Sequence, residues 1–345
     1  MPICARRFIR LAFCVIAMIT AALAVAAEEM AAPAPTPYGE VSLPFKLHKV
    51  ADAPVYYVIG LSGVPGAENE GHTSNAGFVV TDAGVVVFDA LGTPALGYRL
   101  LQRIREVTDQ PIARIVVSHY HADHVYGLQA FKQHADEPPV WAQTLALGYA
   151  GGTAASQGED AQRRLAQRRE ALFPWVDENT YVVSPDHTFD DEVTFELGGI
   201  NFMLKHLGPA HAPGDTIMLV REYGVLFGGD VIYKGRVPFL DSPETDVTRW
   251  LAGLEYLTAL DPTPAYVIPG HGEPSDDVVQ AIAVTRDYIN YVREVMREAV
   301  ADFIPFDEAY DATDWSRYRG LPAFDASNRG NAYRIYLEME AEAFE

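Results

Sequence analysis

The stretch "VVSHYHADHVYG", residues 116–127, places three histidines and an aspartate within six positions, directly behind a run of isoleucine and valine. "IARIVV" is short, apolar and β-branched, the pattern of a buried strand. It delivers the polar cluster to the mouth of a sheet, where loops tend to carry function. Alternate residues of an extended segment share a side, so His119 and His121 point the same way. Asp123 and His124 follow as the chain turns. Imidazole and carboxylate together suit a borderline divalent cation such as zinc. The chain has only ten histidines, and a merely polar turn has no need of three. The pattern H-x-H-x-D-H is among the more specific short metal motifs.

One turn cannot enclose two metals, so further ligands are expected from other strand ends. Three candidates fit. His211 stands in "HLGPAHAPGD", just past the strand-like "INFMLKHLG". Asp230 ends the apolar run "VLFGGD". His271 ends "AYVIPGHG", again a strand followed by glycine.

The pattern around these residues alternates between strand and helix. "VYYVIG" reads as a strand, and "NAGFVVTDAGVVVFDA" as two β-branched runs around the turn "TDAG". "PALGYRLLQRIREVT" has helical spacing, with Pro94 near its start. "VYGLQAFKQH" is a short helix, and residues 144–172 form a polar, arginine-rich helical insertion. Strands are expected near 188–197, 200–207, 216–221 and 224–229, then a helix at 246–260, the strand "AYVIPG" and a long helix at 276–300. Strands in two groups with helices between them imply a layered α/β protein with sheets inside and helices outside.

The first 27 residues stand apart. Arg6, Arg7 and Arg10 precede an uncharged apolar run, and Ala24, Ala26 and Ala27 offer small-residue cleavage sites, the pattern of a secretory signal peptide. Residues 28–45 hold four prolines and read as an irregular linker. The only cysteines, Cys4 and Cys14, lie in the signal, so the processed chain has no disulfide, thiol nucleophile or thiolate ligand. Removing three arginines takes the formal charge from −21 to −24. So acidic a surface repels nucleic acid and anionic lipid. The expectation is a periplasmic or secreted protein, free of the membrane once processed, acting on a small molecule.

The ordered set "HYHADH", "AHAPGD", "FGGD" and "PGHG" resembles the metallo-β-lactamase superfamily over roughly residues 50–280. The resemblance implies a four-layer αββα sandwich with a metal site at one edge, between the sheets. It implies that His119, His121 and His211 hold a first metal, that Asp123, His124 and His271 hold a second, and that Asp230 bridges both, as in the glyoxalase II-like branch. Two zinc ions are the expected cofactors, with iron or manganese compatible with the same donors. The segment "FGGDVIYKGRVPF" further resembles the exported SoxH-like and quinoprotein-associated zinc metallohydrolases. The domain is expected over 46–300, with an insertion at about 142–180 and an acidic extension at 301–345.

The chemistry implied is hydrolysis. Two cations a few ångströms apart lower the pKa of a shared water toward neutrality. The resulting hydroxide attacks the carbonyl of an ester, thioester, lactone or lactam, with Asp123 orienting it. β-Lactamase activity, a mononuclear iron persulfide dioxygenase and a non-catalytic metal-binding protein are the alternatives. The lactamase subclass with a cysteine ligand is excluded by Asp230. Glutathione thioesters fit poorly, because residues 301–345 carry ten acids against four arginines.

Neighbouring residues complete the reading. Asp89, ending "VVVFDA", is expected to hydrogen-bond a ligand histidine, and Asp215 to brace its loop. Lys234 and Arg236 in "YKGR" are candidates to grip a substrate carboxylate. Tyr233 is a candidate to line the pocket, and His72 to stand on a loop over it. The aromatics Tyr149, Phe173 and Trp175 are expected to pack the insertion down, and the insertion itself is a candidate lid.

Overall fold

The valine-rich hairpin forms β3 (Ala76–Thr81) and β4 (Gly84–Phe88), paired antiparallel across a turn at Asp82 and Ala83. In the computed structural model, which describes residues 37–150, 159–240 and 242–343, this hairpin is the centre of a seven-stranded sheet. Its order is β1 (His48–Lys49), β2 (Val55–Val58), β3, β4, β5 (Ile112–Val116), β6 (Val140–Gln143) and β7 (His187–Phe189). The second sheet has five strands in the order β12 (Tyr266–His271), β11 (Val225–Tyr233), β10 (Thr216–Val220), β9 (Ile200–His206) and β8 (Glu192–Leu197). The expected signal segment, the first half of the expected linker (residues 28–36) and residues 151–158 of the insertion lie outside the described residues. Among the described residues no helix is long and apolar enough to cross a membrane.

The layering follows from alternation along the strands. Val85 and Val87 enter a core beneath α1 (Pro94–Val107) and α3 (Leu128–His134), while Val86 and Phe88 enter the core between the sheets. In the second sheet Met218 and Val220 face that same central core. Ile217 and Leu219 face the opposite way, into a third core under α6 (Val247–Thr258) and α7 (Val278–Ala301). Strands buried on both faces read as continuous apolar runs, which is why "GVVVF" and "TIMLV" carry almost no polar residue. Each fully buried valine, leucine or phenylalanine contributes about 1.5–3 kcal/mol. The result is the expected αββα order of layers.

Three local differences from the sequence reading have physical causes. The strand expected near 188–197 is two strands in different sheets, broken at Asp190 and Asp191, where the chain crosses between layers. Asp191 is anchored there by Lys205 Nζ at 2.7 Å. β11 continues past Gly229 to Tyr233, carrying Asp230 inside a strand rather than beyond its end. Residues 301–343 form α8 (Phe306–Ala312) and α9 (Phe324–Ala343), whose Ala309, Ile335, Tyr336 and Met339 are buried in the third core. Residues from Tyr38 onward make one compact unit.

Candidate metal centre

The centre forms where the C-terminal ends of the parallel pairs β4–β5 and β11–β12 meet at one edge of the sandwich. β5 ends at Val116, and His119 and His121 follow it. Asp123 and His124 lie on the single turn α2 (Ala122–Val125), which opens at His121. His211 comes from the loop after β9, and His271 closes β12. Asp230 owes its place to an irregularity in β11. The register with β12 shifts on both sides of Gly229, whose φ is +50°, and such bulges re-aim side chains. A Cβ on Gly229 would lie 2.7 Å from Ser118 Cβ, so only glycine lets the sheets approach here.

The seven donors converge. His211 Nε2 lies 2.8 Å from His121 Nδ1. Asp230 Oδ2 is 3.8 Å from His119 Nε2, 3.4 Å from His211 Nε2 and 3.2 Å from His271 Nε2, and Asp230 Oδ1 is 3.2 Å from His124 Nε2. Asp123 Oδ2 is 3.4 Å from His271 Nε2 and 3.9 Å from His124 Nε2. His119, His121 and His211 form one potential ligand set, Asp123, His124 and His271 another, and His119, His124 and Asp230 link them.

Outer partners fix which nitrogen each histidine presents. His124 Nδ1 donates to Asp89 Oδ2 at 2.8 Å. The Ser118 hydroxyl also donates to Asp89, so its oxygen accepts from His119 Nδ1 at 3.0 Å. His211 Nδ1 donates to the Phe239 carbonyl at 2.8 Å, and His271 Nδ1 to the Thr73 carbonyl at 2.7 Å. Four imidazoles therefore turn Nε2 inward, and His121 turns Nδ1. Asp89 reaches its position through a φ of +61°, a left-handed conformation that aspartate tolerates better than most residues.

The donors fit divalent cations. Buried His119 Nε2, His124 Nε2 and Asp230 Oδ1 lack any hydrogen-bond partner, an arrangement that costs free energy unless something cationic satisfies it. Burial would raise Asp123 and Asp230, but the imidazoles of His124 and His271 outweigh it and hold both below the usual carboxylate range. Burial holds His119 well below the usual imidazole range, leaving a neutral ligand. Burial also acts on His124, yet Asp230, Asp89 and Asp123 push it well above that range. In that position a bound cation would take the place of a proton. Burial first, then Asp230, keep Tyr233 a phenol, which donates to Asp230 Oδ2 and orients it.

A cleft of about 310 Å³ opens over the centre. Of the candidate substrate contacts, Tyr233 and Arg236 line it. Lys234 instead points its ammonium toward the Pro274 carbonyl, 3.5 Å away. His72 is buried and stacked on Phe45, with ring centroids 5.1 Å apart, and is not part of the cleft wall. Asp215 braces its loop as expected, accepting from the Ala212 amide. In the insertion, Trp175 donates to the Glu40 carbonyl, whereas Phe173 is exposed.

Several contributors were not singled out in the sequence. Thr73 donates its hydroxyl to Asp123 Oδ2 at 3.1 Å, and the Ser74 hydroxyl donates to the Asp123 carbonyl. Val64 and Pro65 form one wall of the cleft. Arg163, Arg164, Gln167 and Arg168 of α5 (Glu159–Ala171) form another. Their 3–4 spacing puts them on one helix face, a signal legible in "AQRRLAQRREA" once that face is known to look onto the centre.

Known proteins share this architecture. The chain is 24% identical over 241 residues to a linear primary-alkylsulfatase of Pseudomonas sp., covering 61% of this chain and 44% of that enzyme. It is 30% identical over 177 residues to the hydroxyacylglutathione hydrolase GloC of Haemophilus influenzae, covering 50% of this chain and 74% of that one. Over 90 residues it is 31% identical to the type 2 metallo-β-lactamase of Bacteroides fragilis, covering 26% of this chain and 36% of that enzyme. It thus spans less than half of the alkylsulfatase and of the B. fragilis lactamase. Among solved structures, the sec-alkylsulfatase Pisa1 of Pseudomonas sp. superposes with a TM-score of 0.66 at 18% identity, covering 85% of this chain and 50% of that one. A metallo-β-lactamase of Pontibacter korlensis superposes at 0.53 and 21% identity, covering 72% and 99%. The sequence profile of the metallo-β-lactamase superfamily matches residues 70–271, a span that runs from the loop before β3 to the last of the seven donors, and the chain belongs to that superfamily.

Proposed function

We propose that the protein is a metal-dependent hydrolase holding two divalent cations, zinc by preference, and cleaving an ester-type bond of a small molecule outside the cytoplasm. The observation that carries this reading is the pair of ligand sets joined by buried Asp230. Two cations in such a site supply Lewis acidity and a water acidified toward neutral pH. The protein groups do the positioning. Asp123 is the more exposed of the two acids, its side chain 15% accessible against 3% for Asp230. It faces the cleft and accepts a hydrogen from the attacking water. The Thr73 hydroxyl keeps that carboxylate from rotating away. Tyr233 does the same for Asp230. Candidate bonds are carboxylic esters, thioesters, lactones and lactams. The alkylsulfatase likeness adds sulfate esters as a second reading. Export is supported by residues 1–27 alone.

The test is the metal content of the processed chain, purified without added metal and analysed by plasma mass spectrometry. Two zinc ions per chain with turnover of at least one ester class is the expected result. One iron and little zinc would exclude the dinuclear hydrolase and favour an iron oxygenase.

A further inference from the structure

The cleft is cationic in a chain of formal charge −21. Four arginines line it, Arg163, Arg164, Arg168 and Arg236, against two carboxylates, Asp123 and Asp230, that belong to the metal centre. Arg164 and Arg168 stand one helical turn apart on α5. The helix itself is held down. Its Ala161 is buried, and its Leu165 packs against the core under the first sheet. Arg169, on its other side, donates from Nε to the Asp177 carbonyl at 2.7 Å and from Nη2 to the Thr180 carbonyl at 2.8 Å. Arg164 and Arg168 are thus presented to the cleft by an anchored element. Arg164 lies over the ring of Tyr149, 5.9 Å from its centroid. Among the described residues no ion pair joins Arg164, Arg168 or Arg236 to a carboxylate.

Arg236 strengthens the case. It is buried at 4% exposure, and its Nε has no partner. Its Nη1 lies 3.0 Å from His271 Nδ1, but that nitrogen's hydrogen is committed to Thr73, so it offers no lone pair. Buried guanidinium groups are normally paired. An arginine kept without a counter-ion beside a metal centre is a site for an incoming oxyanion, which its planar fork matches.

We propose that the substrate carries an oxyanion, a carboxylate or sulfate group, in addition to the bond cleaved, and that Arg164 and Arg168 of α5 bind it together with Arg236. The scissile bond rests on the hydrolase reading above, while the anion seat does not. Positive charge focused in one cleft of an acidic protein also draws anions inward, an effect that salt weakens.

The test uses the zinc-loaded protein and two matched substrates, the mono-para-nitrophenyl ester of glutaric acid, which is anionic, and para-nitrophenyl pentanoate, which is neutral. In both, water adds at the acyl carbon, the acyl C–O bond breaks and nitrophenolate leaves. The ratio of kcat/KM, anionic over neutral, is expected to exceed about tenfold and to fall as salt is added. In the double variant Arg164→Gln/Arg168→Gln the ratio is expected to drop about tenfold or more through KM, with partial recovery in Arg164→Lys/Arg168→Lys. A ratio unchanged by the double variant would overturn the proposal. If neither ester is cleaved, the carboxylic-ester reading fails and the anion seat is judged separately, by calorimetric titration of glutarate and of butyl sulfate. Saturable binding of either that weakens in the glutamine variant supports the seat and identifies the preferred oxyanion. Equal binding to both proteins, or none to either, refutes it.

Discussion

Asp89 shows how much rests on one side chain behind the centre. It accepts from His124 Nδ1, from the Ser118 amide and from the Ser118 hydroxyl, and through Ser118 it sets His119 as well. Asp89→Asn puts a donor against donors. Zinc affinity is expected to fall about 10- to 100-fold, measured by chelator competition, and an unchanged affinity would remove Asp89 from the support of the centre. His72 carries a different consequence. Burial lowers its pKa to about 4 from 6.5, so the folded state takes up its proton only at far lower pH than the unfolded chain. Its contribution is complete above pH 6.5 and is lost as pH falls from there toward 4, roughly 3 kcal/mol in all. His72→Phe, which keeps an aromatic ring against Phe45, is expected to flatten that acid limb. Urea denaturation of variant and wild type at pH 7 and pH 5 gives the difference in slope, and parallel slopes would contradict it.

At the scale of elements, the centre depends on strands that approach unusually closely. β12 brings Gly270 against the carboxylate it helps to place. A Cβ there would lie 2.0 Å from Asp230 Oδ1, a contact that cannot form without moving the ligand. Gly270→Ala is expected to cost about 1–3 kcal/mol and to reduce bound zinc. Gly320→Ala, where an added Cβ meets nothing within 4 Å, is the control. If both variants keep their metal in chelator competition, the close fit of β12 against β11 has no role in placing Asp230. The helices were the most legible elements. α1 begins at Pro94 behind a Thr93 cap whose hydroxyl accepts from the Leu96 amide at 3.1 Å, and both signals stand in the sequence. The split of residues 187–197 between two sheets was not legible, because β-branched and aromatic residues flank the break on both sides and only layer geometry separates them.

At the scale of the whole molecule, the C-terminal helices reach the centre. Asn331 of α9 accepts from the Leu240 amide at 2.9 Å and donates to the Pro238 carbonyl at 2.7 Å and to Tyr288 Oη at 2.9 Å. Between those two loop residues lies Phe239, whose carbonyl holds His211 Nδ1. Asn331→Ala leaves the Leu240 amide and the Pro238 carbonyl without partners, while Tyr288 Oη keeps its bond to Asn328 Oδ1, a loss of about 2–4 kcal/mol. It is expected to weaken zinc binding as well, though Asn331 touches no ligand. Denaturant midpoint and zinc affinity measured together check this, and a stability loss with unaltered affinity would confine α9 to packing.

The sequence alone determined the donor types and the layered fold, since metal chemistry restricts ligands to a few residue types and periodicity records which faces are buried, whereas it placed Asp230 beyond a strand that in fact contains it. Seven donors scattered from residue 119 to residue 271 were legible because four stand in one H-x-H-x-D-H motif behind an apolar run and the other three each follow a further apolar run. Tertiary structure decided what stands around them. That α5 turns its arginines onto the cleft, that Lys234 and His72 point elsewhere, and that residues 301–343 brace His211 all depend on packing between segments far apart in the chain. A local pattern specifies which face of an element is polar. What that face meets is decided by the rest of the fold.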